Sequence, residues 1–136
     1  MSKTSAIRMI DAPAAGRRQL LATAPNPARH IDYVVTLENQ IETRGLGAVS
    51  IELAYVPDRV TLVPPVFAPY LAALAEGSWE SIEAMSASIL ADVESELVPR
   101  YSRIVIRGSL ADGAYHVMIE GRQPDWKNDG LLARLR

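Results

Sequence analysis

Two apolar patterns constrain the fold of this chain more than any other feature. From Val49 to Tyr55 the larger apolar residues alternate with small or polar ones, which is the period of a β-strand, and Pro57-Asp58 ends the run. From Ile82 to Leu97 they instead recur every three or four positions, as on one face of an α-helix, and Pro99 ends this pattern. The sequence therefore predicts a strand and a helix of a compact α+β domain. The helical stripe consists of Ile82, Met85, Ile89, Val93 and Leu97.

Three further alternating runs complete a strand, strand, helix, helix, strand, strand order. His30 to Asn39 predicts a strand that leads through a loop, Gln40 to Gly47, into the strand of Val49 to Val56. Tyr101 to Arg107 and Ala114 to Glu120 predict the last two strands, joined by a hairpin turn. This order predicts a four-stranded antiparallel sheet with two helices on one face. Such a sheet has open edges and a bare face, which neighbouring subunits usually cover.

Turn and capping residues predict the finer boundaries. Val60 to Val63 is expected to continue the sheet until Pro64-Pro65 ends it. The first helix is expected to begin at Pro69, because proline is tolerated in the first turn of a helix. Ser78 is expected to cap the second helix, with Glu80 in its first turn, where the helix dipole favours an acid.

Composition excludes several classes of function. With 136 residues, of which 49% are apolar, the chain can form one globular domain with a core. Its 14 basic and 16 acidic residues leave a net charge of −2, so we expect neither a nucleic acid nor a membrane as partner. The sequence contains no cysteine. That excludes disulfides, thiolate metal ligands and thiol nucleophiles.

We expect residues 29–124 to form the domain, with an N-terminal extension at 1–28 and a C-terminal tail at 125–136. In the extension, Arg17-Arg18 is expected on a solvated helix face, with an anion site as the alternative. The tail carries Trp126 and Leu131-Leu132, which is enough apolar surface to dock but not to form a domain. No apolar run has the length of a signal peptide or a membrane span, so a soluble, cytoplasmic protein is expected.

These segments resemble the tunnelling fold (T-fold), and within it the single-domain 7-cyano-7-deazaguanine reductases (QueF) of queuosine biosynthesis. The matching segments are Ile51 to Asp58 for the second strand, Tyr70-Leu71 and Glu76-Gly77 in and after the first helix, and Ile82 to Val93 for the second helix. The resemblance spans about residues 28–124. The GTP cyclohydrolase I family has a similar second strand, so the resemblance supports the fold better than the individual family.

The resemblance implies a homo-oligomer, a pentamer or a decamer of two pentamers, whose strands form a barrel. In such proteins a planar purine- or pterin-like heterocycle binds between subunits, and a glutamate on the second helix accepts hydrogen bonds from its N–H edge. Glu83 occupies that position. Gln40 is a second candidate ligand contact because its amide both donates and accepts, and Glu38 and Arg103 are further candidates. The competing interpretation of Glu83 is a surface acid near the start of a helix.

The residues that carry chemistry in these families are missing here. The reductases use a cysteine nucleophile, an aspartate proton donor and NADPH, and the cysteine and aspartate positions fall on Gln40 and Gly47. An amide is not a usable nucleophile, and glycine cannot move a proton. The cofactor motif falls on Val63 to Phe67, which carries no charge, so no cofactor is expected. The cyclohydrolase zinc needs cysteines and histidine, and His30 and His116 are not spaced as ligands, so no metal is expected.

Three interpretations of the function remain open, and none identifies a catalytic residue. The first is a protein that keeps a heterocycle pocket, with Glu83 and Gln40 as contacts, but does not perform thioimide nitrile reduction. The second is a structural or regulatory, non-catalytic paralog that assembles with an active homologue. The third is a likeness of fold alone. The sequence does not decide whether the chain is an enzyme.

Overall fold

The computed structural model describes residues 16–110 and 113–135, and all structural statements below concern these residues. The predicted hairpin turn around residues 111–112 lies outside them, as does the start of the N-terminal extension. Residues 16–19 are helical, and a short 3-10 turn, Pro64–Val66, precedes the first long helix. The elements in chain order are β1 (Thr23–Pro25), β2 (Val35–Thr43), β3 (Gly47–Val56), β4 (Val60–Leu62), α1 (Phe67–Ala75), α2 (Ile82–Leu97), β5 (Tyr101–Leu110), β6 (Gly113–Arg122) and α3 (Asp129–Ala133).

The main sheet is antiparallel, with the strand order β2-β3-β5-β6. Helix α1 packs against β2, and α2 packs against β5 and β6, so both helices cover the same face. The predicted α+β order of two strands, two helices and two strands is therefore confirmed. We call the other face of the sheet the open face.

The core lies between the sheet and the two helices. The alternating residues of β3 and β5 that face the helices are fully buried, as are the residues of the predicted α2 stripe. Burial of each such large apolar side chain stabilises the fold by about 1.5–3 kcal/mol. The hydroxyl of Tyr55 also accepts a hydrogen bond of 2.8 Å from the amide of Leu62, which joins β4 to the core. The buried residues are Val49, Ile51, Leu53, Tyr55, Ile104, Ile106, Ile82, Met85, Ile89, Val93 and Leu97.

The first long strand was predicted with the wrong boundaries. It begins at Val35 rather than His30, and it continues through Thr43, so Gln40 lies within the strand and not in a loop. His30 is exposed in a turn. Residues 30–34 lie outside the sheet, and Asp32 among them accepts hydrogen bonds from distant parts of the chain, which strand periodicity does not predict.

We call the contacts around this carboxylate the Asp32 clamp. Nη1 of Arg100 donates to Oδ1 of Asp32 at 3.0 Å. The Trp126 ring nitrogen and the Asn128 side-chain amide both donate to Oδ2, each at 3.0 Å. Burial alone would raise the pKa of the Asp32 carboxyl, but the hydrogen bonds from Asn128, Trp126 and Arg100 outweigh it and lower the pKa. The clamp thereby joins the chain before β2 to the residue that precedes β5 and to the C-terminal tail.

The C-terminal tail folds back on its own sheet. Leu131 in α3 is buried against Val56 and Tyr101 at one end of the open face, and the Trp126 ring lies 5.7 Å from that of Tyr101. Asn128 caps α3 by accepting from the amide of Leu131 at 3.0 Å. Intrachain packing thus covers part of the open face. The domain boundaries at residues 28 and 124 stay predictions.

Residues around β1 also pack on the domain rather than extending from it. Strand β4 does not continue the main sheet as predicted, because it pairs with β1 in a separate two-stranded sheet. The Nε of Arg17 lies 2.7 Å from the Asp92 carboxylate, which also accepts from the Tyr70 hydroxyl at 2.6 Å. Asp92 is only 3% exposed. The predicted solvated position of Arg17 is therefore wrong, since this arginine neutralises a buried acid.

Both long helices begin at residues other than those predicted. Helix α1 begins at Phe67, two residues before Pro69, which still falls in the first turn, where its missing N–H has no partner to lose. Helix α2 is capped by Ser81 rather than Ser78. Its first turn therefore contains Glu83 and not Glu80. Among the described residues, no helix is long and apolar enough to cross a membrane.

Candidate functional site

Glu83 lies at the N-terminal end of α2, where the helix presents unpaired backbone N–H groups. The Ser81 hydroxyl accepts from the amide of Ala84 at 3.0 Å and satisfies one of them. The positive end of the helix dipole stabilises an ionised carboxylate at this position. The Glu83 side chain is exposed. It is therefore an accessible anion, unlike the buried acid Asp92 on the same helix.

One side chain from the sheet contacts this carboxylate. The Tyr115 hydroxyl on β6 donates to Oε2 of Glu83, and Tyr115 is the one side-chain hydrogen-bond partner of that carboxylate among the residues of 16–110 and 113–135. The bond lowers the pKa of Glu83, with a smaller contribution from its own backbone amide. The same bond raises the pKa of the Tyr115 hydroxyl, so Tyr115 remains a neutral donor beside an ionised acceptor at neutral pH.

A cavity of about 440 Å³ opens beside this pair. Its size falls in the range of about 300–1,000 Å³ that is typical of small-molecule sites. The turn between β2 and β3 forms one wall, the start of α2 forms the second, and the ends of β5 and β6 form the third. The lining residues are Gly45, Leu46, Glu80, Ser81, Ile82, Glu83, Ser109 and Tyr115.

The sheet register places Gln40 on the opposite face from this cavity. Gln40 pairs with Ser50, which pairs with Arg107, and this row lies on the open face. Tyr115 pairs with Gly108 in the adjacent row of paired residues, and that row faces the helices. Within one chain, therefore, the two predicted ligand contacts Glu83 and Gln40 are not brought together. Gln40 instead borders a smaller cavity of about 230 Å³ with Ser50 and Arg107.

Glu38 and Arg103, the further candidates, also lie on the open face. Arg103 is 3.7 Å from Oε2 of Glu52, and Arg107 lies 3.4 Å from Oε1 of Glu52 and 4.0 Å from Glu38. These acids and arginines form a mixed ion-pair row across the sheet. Surface pairs of this kind typically contribute about 0–1 kcal/mol each to stability.

The positions that the sequence resemblance aligns with catalytic and cofactor residues have the following structures here. Gly47 begins β3 with a φ of 71°, a left-handed conformation that glycine adopts readily. Residues 63–67 form the uncharged 3-10 turn and the start of α1. His30 and His116 are both exposed. No group of three or more potential metal ligands occurs within the described parts of the chain.

Sequence reasoning did not single out Tyr115 as a candidate site residue. Its alternation with Val117 and Ile119 predicts that the three residues share one face of a strand, and in the structure that face packs against the core. Its hydroxyl reaches the start of α2 because Gly108 lies opposite it on β5. A Cβ on Gly108 would lie 3.1 Å from Cδ1 of Ile82, so the glycine permits the close approach of helix and sheet. The feature that could have indicated Tyr115 is a tyrosine near the start of a strand, on the side of the strand that faces the helices.

The comparisons with known proteins identify the fold. No protein-family model matches the chain, and no curated protein matches it either. A dihydroneopterin aldolase from a Burkholderia species, solved bound to guanine, aligns with a TM-score of 0.57 at 14% identity, over 72% of this chain and 97% of that chain. An archaeosine synthase QueF-Like, solved in the apo form, aligns with a TM-score of 0.54 at 15% identity, over 64% of this chain and 91% of that chain.

The chain has the tunnelling fold. At these identities the likeness shows the fold alone and transfers no residue's role. The fold expected from the sequence resemblance is thereby confirmed, whereas the assignment to the reductase family stays a prediction. T-fold proteins related to this chain in structure include one that holds a guanine.

Proposed function

We propose that this T-fold chain binds a planar purine- or pterin-like heterocycle through the Glu83 carboxylate. The observation that carries the proposal is an exposed, ionised carboxylate at a helix N-terminus that lines a cavity of about 440 Å³. A neighbour in structure was solved with guanine, which is a ligand of this chemical class.

The chemistry of Glu83 selects the edge of the ligand that it can bind. An ionised carboxylate only accepts hydrogen bonds, and its two oxygens can accept in parallel from two adjacent N–H groups. Guanine and pterins present such an edge, formed by a ring N–H and an exocyclic amine. Adenine presents a donor beside an acceptor, and its ring nitrogen would face a carboxylate oxygen without a proton between them. The site should therefore prefer guanine-like to adenine-like edges.

We propose further that the chain does not perform thioimide nitrile reduction. A thiol nucleophile is absent from the sequence, and Gln40 and Gly47 stand where the reductases have their cysteine and aspartate. Gln40 also lies in a strand on the open face, away from Glu83. A heterocycle bound at Glu83 would therefore meet no nucleophile from residue 40 of the same chain.

The proposed complete site requires more than one copy of the chain. Glu83 and Gln40 lie on opposite faces of the sheet, so one ligand can contact both only if they come from different subunits. The edge strands β2 and β6 offer nine and ten residues of backbone for pairing. We propose a cytoplasmic homo-oligomer, a pentamer or a decamer, with the heterocycle at subunit interfaces. Light scattering that reports a stable monomer would contradict this assembly.

Calorimetry and thermal shift against guanine, neopterin, 7-cyano-7-deazaguanine and adenine test the ligand class. We expect the first three to stabilise the wild-type chain and adenine to have no effect. Glu83→Gln should abolish the shift, because an amide offers one acceptor where the ligand needs two. Glu80→Gln, at the same cavity, is the matched control and should leave the shift unchanged. Equal stabilisation by adenine and guanine, or no loss in Glu83→Gln, would refute the proposal.

A second candidate is favoured by the absence of any cysteine together with the uncharged residues 63–67. This candidate is a structural or regulatory, non-catalytic paralog that assembles with an active homologue. It predicts no response to any heterocycle in the wild-type chain. It also predicts mixed rings in native mass spectrometry after co-expression with a tunnelling-fold enzyme from the same cell. Rings of this chain alone, with a bound heterocycle, would exclude it.

A further inference from the structure

The carboxylate of Glu83 needs a fixed orientation before it can accept hydrogen bonds from two parallel N–H groups. A glutamate side chain rotates about three bonds, and an exposed one samples several rotamers. Binding would then have to arrest this motion, which reduces affinity. In this chain the Tyr115 hydroxyl already holds Oε2 of Glu83.

The position of Tyr115 is itself well defined. Its ring packs against the main core, and its strand pairs with β5 so that Tyr115 stands opposite Gly108. Ile82, the residue before Glu83, fits over Gly108, where a Cβ would lie 3.1 Å from Cδ1 of Ile82. The start of α2 and the phenol are thus held against the same point of the sheet.

The hydrogen bond to Tyr115 leaves the carboxylate able to bind a ligand. Each carboxylate oxygen has two acceptor positions, and the phenol occupies one of those on Oε2. Of the three remaining positions the backbone amide of Glu83 takes at most one, so two stay available for hydrogen bonds from a ligand. The phenol therefore supports a bidentate contact and does not compete with it.

We infer that Tyr115 is a positioning residue that orients the Glu83 carboxylate toward the ligand. This inference rests on the proposed function, since it assigns a role to a second residue of the same site. Tyr115 acts through Glu83 and needs no contact with the heterocycle. The titratable groups that line the cavity are Glu80, Glu83 and Tyr115, and a pH-dependent readout must separate them.

The test uses Tyr115→Phe in the full chain, with neopterin and guanine as probes. The variant should bind both probes roughly three- to tenfold more weakly, because the free Glu83 side chain must then be immobilised on binding. Binding requires ionised Glu83, so it is lost as the pH falls through the Glu83 pKa. Because Tyr115 lowers that pKa, Tyr115→Phe should lose binding at a higher pH than the wild type.

A ligand-free measurement separates this inference from the proposed function. Carbon-13 NMR of the glutamate side chains should report a higher pKa for Glu83 in Tyr115→Phe than in the wild type, with Glu80 unchanged. Tyr33→Phe is the matched control, since it removes a phenol that donates to Asn26 at 2.6 Å, away from the cavity. It should change neither the Glu83 pKa nor the affinity.

The outcomes are distinct. A wild-type chain that binds neither probe overturns the proposed function, and the inference falls with it. If the wild type binds but Tyr115→Phe binds equally or more tightly, the inference alone is overturned. An unchanged Glu83 pKa in the variant also overturns it, whatever the affinities. Weaker binding together with a raised Glu83 pKa supports both.

Discussion

The carboxylates at the two ends of the main sheet differ in burial and in the number of their hydrogen bonds. At one end, Asp32 accepts hydrogen bonds from Arg100, Trp126 and Asn128 and is largely enclosed by them. At the other end, Glu83 is exposed and, among the described residues, accepts from one other side chain, Tyr115. A carboxylate whose acceptor positions are filled by its own chain contributes to stability. One whose positions are empty is available to a ligand.

This comparison predicts that the two acids separate stability from binding. Asp32→Ala should lower the free energy of unfolding by about 3 kcal/mol, because it leaves the Trp126 and Asn128 donors without their acceptor and removes one of the two ion pairs of Arg100. Ligand binding should persist at temperatures where the variant is folded. Urea unfolding measures the first effect and calorimetry with guanine the second. Glu83→Gln is the reciprocal control, expected to unfold like the wild type and to lose binding.

A change of less than about 1 kcal/mol in Asp32→Ala would contradict the view that the clamp stabilises the chain. Loss of guanine binding in a folded Asp32→Ala protein would contradict the independence of the two ends.

Acid should weaken the clamp with a defined sign. The pKa of Asp32 is lowered in the folded chain, so its contribution to stability is complete above the unfolded value of about 3.9. That contribution is lost as the pH falls through the folded pKa, because the protonated carboxyl no longer attracts Arg100 as an anion. Unfolding curves from pH 7 to pH 2, compared with those of Asp32→Asn, measure it. The two proteins should converge at the acidic end, and a constant difference would contradict the prediction.

The sequence predicts the structure at each end of the sheet only where the contacting residues are close together in the chain. The α2 stripe and the alternation of β3 follow from burial, which imposes a period on neighbouring residues. The start of β2 does not follow from such a local period. The preceding residue Asp32 is held by Trp126 and Asn128, which lie 94 and 96 residues further along the chain. A pattern within a window of the sequence contains no trace of such a pairing.

The same distinction applies to the site. Glu83 could be found through the resemblance of α2, and its cap was misplaced by three residues because Ser78 and Ser81 are both plausible caps. Between them lies Trp79, whose ring nitrogen donates to the carbonyl of Leu74 at 2.7 Å, and this contact back to α1 is not visible in the local pattern. Tyr115 meets Glu83 only across the sheet, so its hydroxyl could not be assigned from strand periodicity.

The clamp end also contains backbone strain. Val98, at the end of α2, has a φ of 44°, a left-handed conformation that is unfavourable for a β-branched residue, and its side chain is 59% exposed. Val98→Gly should therefore stabilise the chain by about 1 kcal/mol, part of the relief being offset by the greater freedom of glycine in the unfolded state. Val98→Ala is the matched control. It keeps the Cβ and so should give little or no gain, and equal gains in both variants would show that strain is not the cause.

The smallest expected effect comes from the glycine on which the start of α2 rests. A Cβ on Gly108 would lie 3.1 Å from Cδ1 of Ile82 and 3.3 Å from Cγ1 of Val49. Gly108→Ala should destabilise the chain by only about 0.5 kcal/mol, below the usual cost of overpacking, because the nearest atom is the end of a side chain that can shift. We expect the Ile82 side chain to take up most of this shift and the first turn of α2 to take up the rest by moving slightly away from β6, so the Glu83 pKa measured by carbon-13 NMR should rise. Gly113→Ala, whose Cβ would meet nothing within 4 Å, is the control. An unchanged Glu83 pKa in Gly108→Ala would mean that the Tyr115 side chain moves together with the start of α2 and keeps its hydrogen bond. The end of the sheet beside Glu83 would then adapt more easily than the end at the Asp32 clamp.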